Sequence, residues 1–421
     1  MLIGKKAKLN KVNALTFICL VFAVSLFCSI PVLAATRNTD VTTATTGNTL
    51  VSVKGTFYSN TKEQILNRIN AIRKEACQEG VTNPSTGKAL TMDDYVPIKW
   101  SSDLEWIAQT RAAEATVNES HTRPNGTSCF SIQHNGVSSW GEVLAWNYSG
   151  MMYGIEQWYG EKEDWVKNTG AVTGHYTSMI DPENLYIGLG CFRQNEGDWY
   201  AVAGEFSFEN GLDEAKTGVT GAYSQRIEVP AASLSASLTS TVTMDAGGTK
   251  KLTFNVKTKL QSVMGGTKTS PCTLVNNNIT WSSSNNAVAS VDSTGTITAH
   301  KKGTATITAK VSNGLKATCK VKVNKKITVA RAKTPKLTNL KGKKLKITYA
   351  ATSGAKGYQI QYSTSKKFSS AKTKTLTKKS YTVTLKKGKK YYVRVRAYKL
   401  DSSKNKVYGA WSKVKSITIK K

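Results

Sequence analysis

Four ionisable residues between His121 and Cys191 have side chains suited to chemistry. They are His121, Glu142, Glu161 and His175, in that order along the chain. The chain has only four histidines, so half of them belong to this set. Two imidazoles and two carboxylates facing one cleft can bind a divalent cation, transfer protons or hold a polar ligand.

Each chemistry makes a different demand on the four residues. Neutral imidazole nitrogens and carboxylate oxygens suit Zn²⁺, and an incomplete ligand set leaves positions open to water. If the protein is an enzyme, Glu142 or Glu161 is the candidate general base. No nucleophile is evident, because Ser178 is better explained by helix packing. A purely structural alternative is that the His and Glu side chains only hydrogen-bond one another and fix the fold.

Hydrophobic periodicity predicts the elements that carry these side chains. Four helices are predicted: one from a capping box at residues 60–63 to Gly80, one that starts at Ser102 and leads to His121, one around Trp140 to Ala145, and one after Ser149. Two β-prone segments, 185–192 and 199–208, flank a loop that is typical of a hairpin.

Several short motifs resemble the CAP superfamily of cysteine-rich secretory, antigen 5 and pathogenesis-related proteins. The resemblance covers roughly residues 57–208. It is carried by Gly141-Glu142-Val143-Leu144-Ala145, Trp158-x-x-Glu161, Gly174-His175-Tyr176-Thr177 and Ile187-Gly188-Leu189-Gly190-Cys191. Val143 stands where the family usually has Asn. The resemblance implies an α/β/α sandwich with helices on both sides of an antiparallel sheet. It also implies that His121 and His175 are direct metal ligands, oriented by Glu142 and Glu161.

The first residues predict export. Lys5, Lys6, Lys8 and Lys11 precede an apolar stretch that ends in Val32-Leu33-Ala34, so residues 1–34 are predicted to be a signal peptide, with a mature N-terminus near Ala35. No later apolar run is long enough to span a membrane. We therefore expect a secreted, extracellular protein. Association with the cell wall is a second form of this expectation.

The rest of the chain predicts a multidomain protein. Residues 35–56 lack periodicity and are predicted to be a flexible leader, and residues 209–228 are predicted to be a linker. Residues 229–326 resemble a bacterial Ig-like domain of group 2 through Trp281-Ser282-Ser283-Ser284-Asn285 and Gly303-Thr304-Ala305-Thr306-Ile307. Residues 327–421 resemble a fibronectin type III domain through residues 391–398 and 409–412. Both are predicted to be all-β immunoglobulin-like sandwiches.

An exported chain can keep disulfides. Cys272 and Cys319 are the expected pair in the later segment. Cys77, Cys129 and Cys191 allow one further bridge, whose pairing stays open.

Charge divides the chain in two. Residues 36–228 hold 15 Lys and Arg against 24 Asp and Glu, whereas residues 229–421 hold 40 against 3, a net charge of +37. This asymmetry predicts a polyanionic partner for residues 229–421, either a cell-wall polymer or a host glycan. Nucleic acid is not expected, since no recognition helix or stacking motif is present.

Three functions follow from these observations. The preferred hypothesis is a secreted bacterial CAP-domain protein whose His/Glu cleft binds Zn²⁺ or Ca²⁺ and is presented at the cell envelope or a host surface by the two β-sandwiches. The second is a secreted metal-dependent hydrolase of wall peptide, glycan or protein. The third is an adhesin whose cleft binds a lipid, a sterol or another small hydrophobic or peptide ligand.

Overall fold

The structure is a computed structural model that describes residues 35–37, 39–275 and 278–420. The predicted signal peptide at residues 1–34 lies outside the described residues. Within those ranges, no helix is long and apolar enough to cross a membrane.

Five α-helices and nine strands are described up to Pro230. The helices are α1 (Lys62–Glu79), α2 (Ser102–Ala115), α3 (Met151–Tyr159), α4 (Lys162–Lys167) and α5 (Gly174–Ile180). The strands are β1 (Ala35–Arg37), β2 (Asn48–Tyr58), β3 (Lys99–Trp100), β4 (Gln133–His134), β5 (Val137–Ser138), β6 (Gly141–Asn147), β7 (Tyr186–Gln194), β8 (Tyr200–Ser207) and β9 (Gly221–Pro230). The predicted hairpin is β7 and β8, which pair antiparallel.

Helices cover both faces of the sheet, so the predicted α/β/α sandwich is confirmed. The strands run in the order β2-β7-β8-β6. Helices α1, α3 and α5 bury their apolar residues on one face, together with Val143 of β6. Helix α2 lies on the other face, where Leu144 of β6 joins the same apolar cluster as Ala112.

Helix α2 packs very closely on β7, and two glycines make this possible. A Cβ atom on Gly188 would lie 2.0 Å from the backbone nitrogen of Glu105, and one on Gly190 would lie 2.3 Å from the carbonyl oxygen of Ala108. Side chains at these two positions would push α2 off the sheet. The Gly-x-Gly spacing in β7 therefore fixes the helix that delivers the chain to His121.

The predicted leader and linker are wrong in part, because each contains a strand of the central sheet. β2 pairs antiparallel with β9 from Asn48 opposite Pro230 to Phe57 opposite Gly221, and β1 pairs parallel with β9. Val51 of β2 and Ile227 of β9 are buried in the core beneath α2. The two segments lack a convincing local pattern because each is stabilised by a partner that is distant in sequence.

The predicted helix at Trp140 to Ala145 is also wrong. These residues enter β6, which pairs antiparallel with β8. Both faces of β6 are covered by helices, so its apolar residues are nearly continuous and show no alternation. A short run of this kind does not distinguish strand from helix by period.

The described residues of the second segment form ten strands. They are β10 (Leu234–Ser237), β11 (Thr241–Asp245), β12 (Thr249–Lys251), β13 (Asn255–Gln261), β14 (Thr267–Leu274), β15 (Thr280–Ser283), β16 (Ala289–Val291), β17 (Thr296–Ala299), β18 (Gly303–Lys310) and β19 (Lys316–Asn324). Strands β11-β19-β18-β15 and β12-β17-β16 form two sheets around a common apolar core. The β-sandwich predicted here is confirmed.

Three strands of this segment belong instead to the sheet of the first. β10 pairs with β13, β13 forms a hairpin with β14, and β14 pairs with β2 at Thr273 opposite Ser52. Val256 and Cys272 of the hairpin share the apolar cluster beneath α2. The central sheet is therefore continuous across the boundary that the sequence predicts near residue 229.

The third segment is a separate sandwich, again as predicted. Its strands are β20 (Lys336–Leu340), β21 (Lys344–Thr348), β22 (Gly357–Ser363), β23 (Lys372–Leu376), β24 (Ser380–Thr384), β25 (Lys390–Leu400), β26 (Lys406–Tyr408) and β27 (Lys415–Thr418). One sheet is β20-β21-β24, the other is β23-β22-β25-β26 with β27 on β25, and they enclose one core.

The predicted disulfides are wrong. All five cysteines of the described residues are free thiols and buried. Cys272 lies in the cluster beneath α2, whereas Cys319 lies in the core of the second sandwich, so the expected partners occupy different cores.

Candidate functional site

His121 lies in the loop after α2 and is oriented by Glu142. Its Nδ1 atom is 2.8 Å from Oε1 of Glu142, which projects from β6. The His121 side chain is 55% exposed, whereas that of Glu142 is 1% exposed. A buried carboxylate thus holds one edge of an imidazole whose other edge can face solvent.

His175 is held in the same way by Glu161. Glu161 lies between α3 and α4, and its Oε1 atom is 2.5 Å from Nδ1 of His175. Its second oxygen accepts hydrogen bonds from the backbone nitrogens of His175 and Tyr176, at 3.0 and 3.1 Å. One carboxylate therefore fixes both the ring and the first turn of α5.

The two imidazole rings face each other. Their centroids are 6.0 Å apart and their planes differ by 25°. Because each Nδ1 atom is engaged by a carboxylate, Nε2 is the nitrogen that each neutral ring leaves available as an electron-pair donor. The structure thus brings all four predicted site residues together as two His–Glu pairs. Among the residues it describes, no group of three or more His, Cys, Asp or Glu is arranged to hold a metal ion.

Arg111 anchors the first pair from beneath. Its Nε atom donates to Glu142 Oε2 at 2.5 Å, and its Nη1 atom donates to Glu114 Oε2 at 2.7 Å. Burial alone would raise the pKa of the Glu142 carboxyl, but the charge of Arg111 and the hydrogen bonds from His121 and Arg111 hold that pKa below its usual value. Glu142 is thereby kept ionised as an acceptor for His121.

The network continues away from the cleft. Arg123 binds Glu114 and, through two bonds of 2.8 Å, Asp40. Asp40 belongs to the segment predicted to be a flexible leader. The charges behind the cleft are therefore paired with one another, as buried charges must be.

Glu205 is a second buried carboxyl beside this network. It lies opposite Glu142 on β8, and neither of its oxygens makes a hydrogen bond of good geometry with a described residue. Burial and the neighbouring Glu142 charge raise the pKa of Glu205 well above its ordinary value. Burial and the charge of Glu142 also raise the pKa of the Cys129 thiol to about 12.

The sequence did not identify Arg111 or Glu205 as part of the site. Arg111 carried a usable signal, because it recurs at helical spacing with the apolar residues Leu104, Ile107 and Ala108, where a charge requires a partner. Glu205 carried no such signal. His134 belongs to neither His–Glu pair: its Nδ1 atom is 2.8 Å from Asp103 and its ring stacks on Trp106.

Comparisons with known proteins agree with this architecture. Residues 66–205 match the cysteine-rich secretory protein family, and residues 235–321 match the bacterial Ig-like domain (group 2). Venom allergen 5.02 of Dolichovespula maculata is 26% identical over 161 residues, which cover 37% of this chain and 73% of the allergen. A probable pathogenesis-related protein of Candida albicans is 31% identical over 139 residues, which cover 32% of this chain and 53% of that protein.

Solved structures of fibronectin type III domains align with part of this chain. A fibronectin type III-like protein from Clostridium thermocellum is 26% identical, with 21% of this chain and 93% of that chain covered and a TM-score of 0.19. The chicken CNTN1 FN1–FN3 domains are 14% identical, with 54% and 83% covered and a TM-score of 0.32. The family matches show that this chain carries a CAP domain of the cysteine-rich secretory protein family, followed by a bacterial Ig-like domain of group 2.

Proposed function

We propose that the CAP domain binds Zn²⁺ through Nε2 of His121 and Nε2 of His175. The observation that carries this proposal is the pair of His–Glu hydrogen bonds, each of which occupies Nδ1 and leaves Nε2 for a ligand. Carboxylates that hold the second nitrogen of a metal-bound histidine are a common arrangement around zinc.

The distance between the rings is close to that of two rings sharing one ion. Zinc lies about 2.0 Å from an imidazole nitrogen, and so about 3 Å from the ring centroid. At a tetrahedral angle two such rings have centroids about 5 Å apart, and the centroids of His121 and His175 are 6.0 Å apart. Ca²⁺ takes oxygen ligands, so the two imidazoles favour zinc over calcium. With two protein nitrogens, the remaining positions belong to water or to a bound ligand.

The geometry favours binding over general-base catalysis. Glu142 accepts hydrogen bonds from His121 and from Arg111, and its side chain is 1% exposed. Glu161 accepts from His175 and from two backbone nitrogens. A general base needs a free oxygen within reach of its proton donor, and neither carboxylate offers one readily. The hydrolase hypothesis consequently receives less support from the structure than the binding hypothesis.

Calorimetric titration of the full chain with Zn²⁺ tests the proposal. We expect one site per chain in the wild type and no measurable site in the His121→Ala/His175→Ala variant. The matched control is His134→Ala/His300→Ala, which removes the other two histidines and is expected to bind like the wild type. Equal binding by the wild type and the His121→Ala/His175→Ala variant would overturn the assignment of ligands.

We also infer that the protein is secreted and is held at the cell envelope by its basic half. Supporting observations are the predicted signal peptide and the extracellular character typical of CAP and Ig-like domains. The partner proposed for residues 229–421 is an anionic cell-wall polymer, because this half of the chain has 40 basic residues and only 3 acidic ones.

Two arginines of the third segment favour a defined anion site within this basic surface. Arg394 and Arg396 lie on one face of β25 with Trp411 between them, at 4.6 and 4.4 Å from the ring centroid. Their acceptors are the uncharged amides of Gln361 and Gln359. Both guanidinium charges are thus fixed in position and left without a carboxylate partner among these contacts, so an anion would find them preorganised.

Retention of the full chain on isolated cell walls, eluted with salt, tests this interaction. We expect release by roughly 0.5 M NaCl, where the Debye length is about 4 Å, compared with about 8 Å at physiological salt. Arg394→Gln/Arg396→Gln should elute earlier than Lys344→Gln/Lys346→Gln, which removes the same charge from exposed positions on β21. Equal elution of the two variants would favour diffuse attraction, and retention that is indifferent to salt would contradict the proposal.

A further inference from the structure

We propose that the β13–β14 hairpin of the Ig-like segment is part of the histidine site, with Lys268 as a positioning residue for the loop that carries His121. The expected effect on zinc binding rests on the proposed function, whereas the contacts between the hairpin and the loop do not depend on it. The hairpin comes from the second segment of the chain, yet it packs beneath α2 through Val256 and Cys272.

The hairpin is joined to the loop through the backbone. The backbone nitrogen of Glu119 donates to the carbonyl oxygen of Gln261 at 3.1 Å, and the nitrogen of Gln261 donates to Oδ1 of Asn118 at 3.1 Å. Ser270 adds a hydrogen bond to the carbonyl oxygen of Thr116. The chain leaving α2 is thus attached to β13 and β14 at three successive points before it reaches His121.

The side chain of Glu119 is the centre of this attachment. Its carboxylate accepts hydrogen bonds from Lys268 Nζ at 2.5 Å, Val263 N at 2.8 Å and Ser262 Oγ at 3.1 Å. All three donors belong to the hairpin, and the Glu119 side chain is only 1% exposed. A carboxylate buried to this degree needs charged or hydrogen-bonding partners, so Glu119 is stable in this position only with the hairpin docked.

Further hydrogen bonds hold the residues on either side of His121. Asn118 Nδ2 donates to the carbonyl oxygen of Thr122 at 2.8 Å, and Arg111 Nη2 donates to that of Ser120 at 2.9 Å. Carbonyl groups on both sides of His121 are therefore fixed. Because the His121 side chain is 55% exposed, its position depends on the backbone anchoring as well as on the hydrogen bond to Glu142.

A two-histidine site is sensitive to such anchoring. Ligand positions must be held to within about 0.5 Å, and a loop carries a ligand less accurately than a helix or strand unless other groups support it. Among the described residues, Lys268 supplies the single positive charge in direct contact with Glu119. Removing that charge leaves the carboxylate with two weaker donors and lets the His121 loop move relative to His175.

The experiment compares Lys268→Met with Lys259→Met in the full chain. Lys259 lies on the other strand of the same hairpin and is exposed, so its removal controls for loss of charge. We expect Lys268→Met to weaken Zn²⁺ binding about tenfold and Lys259→Met to leave it unchanged. Lys268→Arg keeps the charge and should restore most of the affinity.

Amide hydrogen exchange of residues 118–123, measured without metal, separates the two proposals. If the wild type fails to bind zinc, the proposed function fails, yet faster exchange in Lys268→Met than in Lys259→Met still supports the positioning role. Equal exchange in the two variants, or unchanged zinc affinity in Lys268→Met, overturns that role. Should Lys268→Met fail to fold, Glu119→Gln replaces it in both measurements, with the same outcomes.

Discussion

Glu205 lies directly opposite Glu142 in the β6–β8 ladder, so two carboxyl groups share one buried face of the sheet. Arg111 contacts only one of them, and folding lowers the pKa of Glu142 while it raises the pKa of Glu205. Folding thus favours the ionised form of Glu142, which is hydrogen-bonded to His121, and the protonated form of Glu205.

Glu205→Gln should stabilise the protein at high pH. A carboxyl group whose pKa is raised by folding stabilises the folded state most at low pH and loses that contribution as the pH rises through the folded-state pKa. A neutral amide removes this dependence, so we expect a melting temperature about 2–4 °C higher than wild type at pH 8 and little change at pH 4. Glu183→Gln, at an exposed position, serves as the control. A destabilised Glu205→Gln at pH 8 would contradict the assignment.

Arg111→Met should be among the most destabilising substitutions in the CAP domain. It leaves Glu142 and Glu114 buried with one charged partner fewer, and breaking a buried pair in this way costs about 3–5 kcal/mol. Arg68→Met removes a partly exposed ion pair with Glu156 and should cost less than about 1 kcal/mol. Denaturant unfolding measures both, and similar losses would argue against a buried network.

Gly188→Ala should separate α2 from the sheet. Its added methyl would lie 2.0 Å from a backbone nitrogen, which no side-chain movement can relieve, so we expect a loss of about 3 kcal/mol, at the upper end for overpacking. Gly174→Ala, whose Cβ would meet nothing within 4 Å, is the matched control. The free energy of unfolding of the two variants decides the point.

The cysteines should behave as unreactive thiols. Burial raises the pKa of Cys191 and of Cys272 to about 12, so little thiolate exists at neutral pH. We expect the chain from residue 35 onward to react with a thiol reagent slowly when native and at five thiols per chain in denaturant. Fewer thiols without prior reduction would reveal a disulfide.

The sequence predicted the parts of this fold whose signals are local. The β7–β8 hairpin and the helices α1 and α2 follow from periodicity and turn residues, although the α1 capping box is Thr61 with Gln64, one residue later than predicted. Segments stabilised by distant partners were missed. β13 alternates apolar and polar residues like an ordinary sandwich strand, and nothing in its sequence indicates that its hairpin docks beneath α2.

The site was predicted unevenly for a similar reason. The spacing of the four His and Glu residues and the family motifs point to a common cleft. The sequence gives no sign that Lys268, more than 140 residues beyond His121, contributes to that cleft. Its partner Glu119 lies in a polar loop where a carboxylate is unremarkable until its burial is known.

The pairing of β2 also constrains how the chain acquires its fold. Asn48 lies opposite Pro230 and Val51 lies opposite Leu274, so β2 is separated from these partners by roughly 180 to 220 residues in sequence. Contacts between residues so distant in sequence form slowly, because a long loop must close before they stabilise anything. A strand that emerges early is therefore completed late. Until residue 274 has been synthesised, its unpaired edge is open to strands of neighbouring chains.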